Sequence, residues 1–150
     1  MRKIFIAAFI LCAITAQAQT NKVIKPDYQT AIGAKIYPLA LSIKSMTGKQ
    51  SAIEVLGYFK DGFRATALFE HYGNLNIEGN FKWYIGAGAH LGFLENVKTV
   101  QFGIDGVLGL DYKLLHAPLN ISLDWQPSLG IGDDNKFIGD WGGIGIRYCF

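Results

Sequence analysis

Apolar and polar residues alternate along most of the chain after residue 28. In the stretch QFGIDGVLGLDYK (101–113), Phe102, Ile104, Leu108, Leu110 and Tyr112 share one parity, and Gln101, Asp105, Asp111 and Lys113 the other. The stretch 119–129 sets Leu119, Ile121, Leu123 and Trp125 against Asn120, Ser122, Asp124 and Gln126. The stretch 81–93 sets Phe81, Trp83, Ile85, Leu91 and Phe93 against Lys82, Tyr84 and His90. Residues two apart share a face of a β-strand, so a period of two predicts strands with one apolar and one polar face. Eight such segments are predicted, near 28–37, 39–46, 51–59, 63–72, 81–93, 100–113, 119–129 and 141–150, separated by turn-forming stretches such as TGKQ, KDG and LHAP. Pro38 interrupts the first pair and leaves its register open.

Alternation does not say which face is inside, because a soluble barrel turns its apolar face inward and an outer-membrane barrel turns it outward. Three features favour the outward choice. The polar face carries Gly86, Gly88, Gly92, Gly103 and Gly109, where a water-facing strand would carry long polar side chains. Small residues there leave room for large ones inside a narrow eight-stranded barrel. By parity Lys35, Lys44, Arg64, Lys82, Lys113 and Arg147 point inward with Glu54, Glu70, Asp105, Asp111 and Asp124, so buried charges of both signs can pair. Aromatic residues gather at strand ends on the apolar face, at Phe81, Phe93, Phe102, Tyr112 and Phe150, as interfacial girdles do. In hydrocarbon no sheet edge can stay unpaired, so the last strand must join the first. The expected fold is all-β: a closed eight-stranded antiparallel up-and-down transmembrane β-barrel with a polar, filled interior. Its expected interior network comprises Glu54, Arg64, Glu70, Lys82, His90, Asp105, Asp111, Asp124 and Arg147.

The first residues change the picture of where the chain goes. Arg2 and Lys3 precede an apolar stretch over 4–15, and Ala16-Gln17-Ala18 is a small-x-small cleavage site. Residues 1–18 are therefore read as a cleaved signal peptide, 19–27 as a short N-terminal segment and 28–150 as the barrel. The bulky Leu11 before Cys12 does not suit a lipoprotein signal. With Arg2 and Lys3 removed, the fourteen basic residues become twelve, equal to the twelve acidic ones, so charge gives no reason to expect nucleic-acid binding. Cys149 is then the one cysteine left, and no internal disulfide can form.

The chain ends in GIRYCF, with a terminal Phe150, Tyr148 two residues before it and Gly145 three residues before that. This ending resembles the C-terminal assembly signal of bacterial outer-membrane β-barrels. The polar residue that pattern expects two before the glycine is replaced by Gly143. In strand number, alternation and export signal the whole mature chain resembles small outer-membrane barrels of the OmpA/OmpX type. The resemblance implies a Gram-negative outer-membrane location with both termini in the periplasm. It also implies outer-membrane lipids as surroundings and the barrel-assembly machinery as a partner that reads Gly145, Tyr148 and Phe150. A monomer is expected.

Catalytic signatures are weak. His90 has inward parity and lies within reach of Asp105 or Asp111, with Ser122 and Ser128 on another strand, but no local nucleophile motif joins them. GAGAHLG has the wrong glycine order for a nucleotide loop. The carboxylates Asp133-Asp134 lack the spacing of a calcium loop and read as a solvated turn. No catalytic residue, cofactor or metal site is expected. The expected role is structural or interactional at the cell envelope, and a narrow eight-stranded interior filled by side chains is expected to leave no open pore. The alternatives are an outer-membrane lipid-modifying enzyme of the lipid A deacylase or acyltransferase type, and a soluble periplasmic barrel that binds an apolar ligand.

Overall fold

A computed structural model describes residues 28–60, 62–75, 77, 80–94, 100–131 and 136–150. The signal peptide at 1–18, the segment 19–27, the turn at Asp133-Asp134 and most of the loop expected at 94–99 lie outside the described residues. Ten strand segments follow in order: β1 (Thr30–Ile36), β2 (Ala40–Met46), β3 (Ser51–Tyr58), β4 (Gly62–Asn74), β5 (Phe81–Leu94), β6 (Val100–Lys113), β7 (Leu119–Trp125), β8 (Ser128–Ile131), β9 (Phe137–Ile138) and β10 (Gly142–Cys149). Each pairs antiparallel with its neighbour from β1 through β7, and β10 pairs with both β7 and β1, which closes the barrel. The register between β1 and β10 sets Ile32 opposite Tyr148 and Ala31 opposite Cys149.

The ten segments make eight staves. β7 and β8 pair with β6 in one continuous register, Leu108 opposite Trp125 and Asp105 opposite Ser128, with the Gly106 amide donating to the Pro127 carbonyl at 2.8 Å. They are one stave interrupted at Pro127, a residue with no amide to give to the strand on its other side. β9 and β10 are likewise one stave with a bulge. Between the pairs Trp125–Gly142 and Ser128–Ile138, residues 126 and 127 face 139 to 141, so the eighth stave carries one extra residue. Strand structure thus extends into the loop expected between 130 and 139, because the alternation of Leu129, Ile131 and Phe137 continues beyond the expected boundaries. Tyr37, Pro38 and Leu39 join β1 to β2 in a tight turn around a cis Tyr37–Pro38 peptide bond. Carried round the barrel, the registers accumulate an offset of about ten residues, a stagger that tilts the strands by roughly 40°.

The apolar face is outside. Ile43, Val55, Phe69, Ile85, Ile104, Leu110, Leu123 and Ile146 each expose two-fifths or more of their surface, while Arg147, Lys35, Lys44 and Glu54 are fully buried. The interior also holds an aromatic and aliphatic part: Leu56, Tyr58, Leu68, Tyr72, Tyr84 and Val107 pack together with Ala40 and Ala52. Inward glycines make room for the largest of these groups. A Cβ on Gly109 would sit 2.4 Å from the Tyr84 ring, one on Gly103 would meet the His90 ring at 2.2 Å, and one on Gly145 would meet the Ser122 hydroxyl at 2.6 Å.

The same geometry separates inward from outward glycines. Gly109→Ala forces the Tyr84 ring from its place and should cost about 1–3 kcal/mol, the range for overpacking a filled core. Gly106→Ala, whose added carbon meets nothing closer than 3.6 Å, should stay within about 0.5 kcal/mol of the parent. Urea unfolding of the two variants in detergent measures the difference.

Candidate functional site: the interior ion-pair network

Burying a charge is costly unless it is paired and hydrogen-bonded. The staves meet this demand by aiming carboxylates and cations at one another across the barrel. Arg147 on β10 lies at the centre. Its guanidinium pairs with Glu54 on β3, and it donates to the Ser42 hydroxyl at 2.7 Å, the Ser122 hydroxyl at 2.7 Å and the Asn120 carbonyl oxygen at 3.3 Å. Ser42 in turn donates to Glu54 at 2.6 Å. Arg147 thereby ties four staves together, and Gly145 beside it leaves the space its guanidinium needs.

Two further groups flank this centre. Toward the chain termini, Lys44 contacts Glu70 at 2.9 Å and Glu54 at 3.5 Å, lies over the Tyr84 ring at 4.3 Å and donates to the Tyr72 hydroxyl at 3.0 Å. Asn120 donates to Asp111 at 2.6 Å. Lys82 is buried opposite Asp111 in the register of β5 and β6. Just before β1, Tyr28 packs against Ala31 and Cys149. Burial pushes its phenol above the ordinary range, helped by the Asp111 and Glu70 charges, so it remains protonated.

Toward the far end, Lys35 pairs with Asp124 at 2.9 Å, and the Tyr84 hydroxyl donates to the other Asp124 oxygen at 2.6 Å. Arg64 pairs with Asp105, whose second oxygen lies 2.7 Å from His90 Nδ1. Gln126 donates to Asp105 at 3.3 Å and accepts from the Tyr58 hydroxyl at 2.6 Å. Trp141, from the bulged stretch of the eighth stave, stands edge-on to Tyr58 at 4.7 Å and under Arg64 at 4.1 Å, covering this end of the network.

All nine residues expected in the interior are buried, and the structure distributes them among these three groups. It chooses Asp105 over Asp111 as the partner of His90. It brings no serine to that histidine: Ser122 accepts from Arg147, and the buried Ser128 hydroxyl has no hydrogen-bond partner. Arg64 also approaches the same His90 nitrogen at 3.0 Å, so His90 is held as a member of a charge cluster. Lys113, expected inward, is only half-buried and instead donates to the Leu114 and Ala117 carbonyls at 2.9 and 2.7 Å, closing the turn before β7. Gly145 faces the interior, whereas Tyr148 and Phe150 face outward, ring to ring at 4.9 Å. Reading the sequence for charges missed the part played by Tyr58, Tyr72 and Tyr84, although their inward parity marked them.

The Glu54–Arg147 pair gives a direct test. Arg147→Met leaves Glu54 buried without its main partner and should cost about 3–5 kcal/mol. The double variant Arg147→Met/Glu54→Gln should recover a large part of that loss. A double-mutant cycle from equilibrium unfolding in detergent micelles measures the coupling.

Comparisons of the chain with protein-family models, with curated proteins and with solved structures each found no match, so the likeness of its closing strand to outer-membrane barrels rests on the residues themselves.

Proposed function

We propose that this chain is an outer-membrane β-barrel protein with a structural or interaction role at the cell envelope, and that it is neither an open pore nor a catalyst. The observation that carries the reading is the exposed apolar belt wrapped around a charged, filled interior. Water-soluble monomers rarely expose contiguous apolar patches beyond a few hundred Å². Here Ile, Leu, Val and Phe side chains occupy the outward positions of every stave.

The height of the belt fits a membrane. A residue in a strand tilted by roughly 40° climbs about 2.4 Å along the barrel axis. Phe81 and Phe93 on β5 are twelve residues apart, or about 29 Å, and Phe102 and Tyr112 on β6 about 24 Å, against a band of about 25 Å in outer-membrane barrels. Aromatic pairs mark both rims: Phe81 stacks on Tyr112 at 4.3 Å and Tyr148 meets Phe150 at one end, and Phe59 meets Phe63 at 5.6 Å at the other. With the termini in the periplasm, as the resemblance implies, the end bearing Trp141 faces outward from the cell.

The orientation speaks against a soluble ligand-binding barrel, which would line a cavity with its apolar face. A depression of about 460 Å³ floored by Ala65, Ala67 and Ala89 lies on the outer wall. The same filled interior argues against conduction, since Arg147, Lys44, Tyr72 and Tyr84 occupy the axis region.

Fractionation tests the proposal. The protein should co-sediment with outer membranes and change gel mobility on boiling, and liposomes containing it should swell in sugar solutions no faster than empty ones. Release into the soluble periplasmic fraction, or rapid sugar uptake, would overturn the reading. The assigned address label is tested separately. Phe150 pairs with Thr30 and Gln29 through its backbone, at 2.8 and 3.1 Å, so Phe150→Ala keeps closure intact. That variant should lower the amount assembled in cells while refolding normally in detergent. Equal loss in both settings would reduce Phe150 to an ordinary anchor.

A further inference from the structure

The apolar belt does not have one height. On β5 seven outward residues run from Phe81 to Phe93, and on β6 six run from Phe102 to Tyr112. On β1 the outward apolar residues are only Ile32, Ala34 and Ile36, and on β2 Leu41 and Ile43, with Leu39 in the turn between them. The lower rims stand at the same end: Tyr148 and Phe150 of the last strand lie beside Ile32 and Thr30, and Phe81 stacks on Tyr112 at that end of β5 and β6. The shortfall is therefore at the far end. The turn at Tyr37 comes five residues above Ile32, about 12 Å up, which leaves this wall on the order of 10 Å lower than Phe93 on the opposite side.

The outward groups on the low side differ in kind. Tyr37, in the turn that ends this wall, is 81% exposed. Gly143 lies against the Ile36 and Tyr37 carbonyls. The eighth stave thus runs on past the end of β1, and the exposed carboxylate of Asp140 stands there. On the tall side the same level is occupied by Ala89 and Leu91. Tyrosine belongs at a membrane–water boundary, and an exposed carboxylate belongs outside the hydrocarbon.

We infer that the barrel meets the bilayer through a belt notched at β1 and β2, and draws the outer lipid boundary inward by about 10 Å beside those two strands. The occupant of this low wall is lipid, thinned to fit. The inference rests on the membrane reading above and adds an asymmetric, locally thinned lipid collar to it. A stretch of bilayer held thin against one wall is a defined surface, on which lipids with short chains gather.

Site-directed spin labels test this in dimyristoyl phosphatidylcholine vesicles. Labels are placed at Tyr37→Cys, Phe93→Cys and Ala89→Cys in the mature chain carrying Cys149→Ser, and depth is read from relaxation by oxygen against a water-soluble nickel chelate. The Tyr37 and Phe93 labels should agree in depth within about 3 Å, both near the headgroups, with Ala89 deep. A Tyr37 label about 10 Å deeper than Phe93 would mean a flat bilayer and overturn the inference while leaving the membrane reading intact. A Tyr37 label shielded from both reagents would mean that protein covers this wall, and would overturn it too. An Ala89 label open to the nickel chelate would remove the membrane reading and the notch together.

Discussion

The structure depends on the burial of Arg147 opposite Glu54. Both side chains have no exposed surface, and a guanidinium held so deeply is tolerable only with every donor occupied. Ser42 from β2, and Ser122 and Asn120 from β7, accept from it beside the Glu54 carboxylate of β3. The requirement reaches further along the chain. Gly145 must lack a side chain, Lys44 must approach Glu54 from the far side, and β10 must close on β1 in the one register that points Arg147 inward. A shift of one residue would put the arginine on the outer wall and Ile146 or Tyr148 inside.

A charged interior decides the exterior. Side chains of a strand alternate, so filling the barrel with ion pairs and tyrosines sends Ile, Leu, Val and Phe outward on every stave. The belt is the complement of the network, and the two cannot be changed separately. Cations and carboxylates of the interior pair with one another, and Tyr58, Tyr72 and Tyr84 donate to or accept from members of the same network. What the barrel presents to its surroundings is its rims and its outward apolar wall.

Much of this was legible in local pattern. The alternation of β5, β6 and β7 is unbroken, and parity alone separated Lys82, His90, Asp105, Asp111 and Asp124 from the apolar face. The glycines at 103 and 109 marked the inner surface before any partner was known. The partners themselves were not legible. His90 is equally consistent with Asp105 and Asp111 by parity, and only the register between β5 and β6, with Gly103 opposite His90, brings Asp105 to it. Lys113 has the right parity and still leaves the network, because its ammonium group donates to the Leu114 and Ala117 carbonyls of the adjoining turn.

The sequence by itself determined the strands, their two faces and the balance of charge between them, because these follow from a period of two and need no knowledge of neighbours. Tertiary structure alone decided which charges meet, that Pro127 interrupts one stave without ending it, that the eighth stave bulges to bring Trp141 under Arg64, and that one wall is lower than the other. Each of these depends on register and stagger accumulated around a closed sheet. Closure is a constraint on all eight staves together, and no local stretch of sequence carries it.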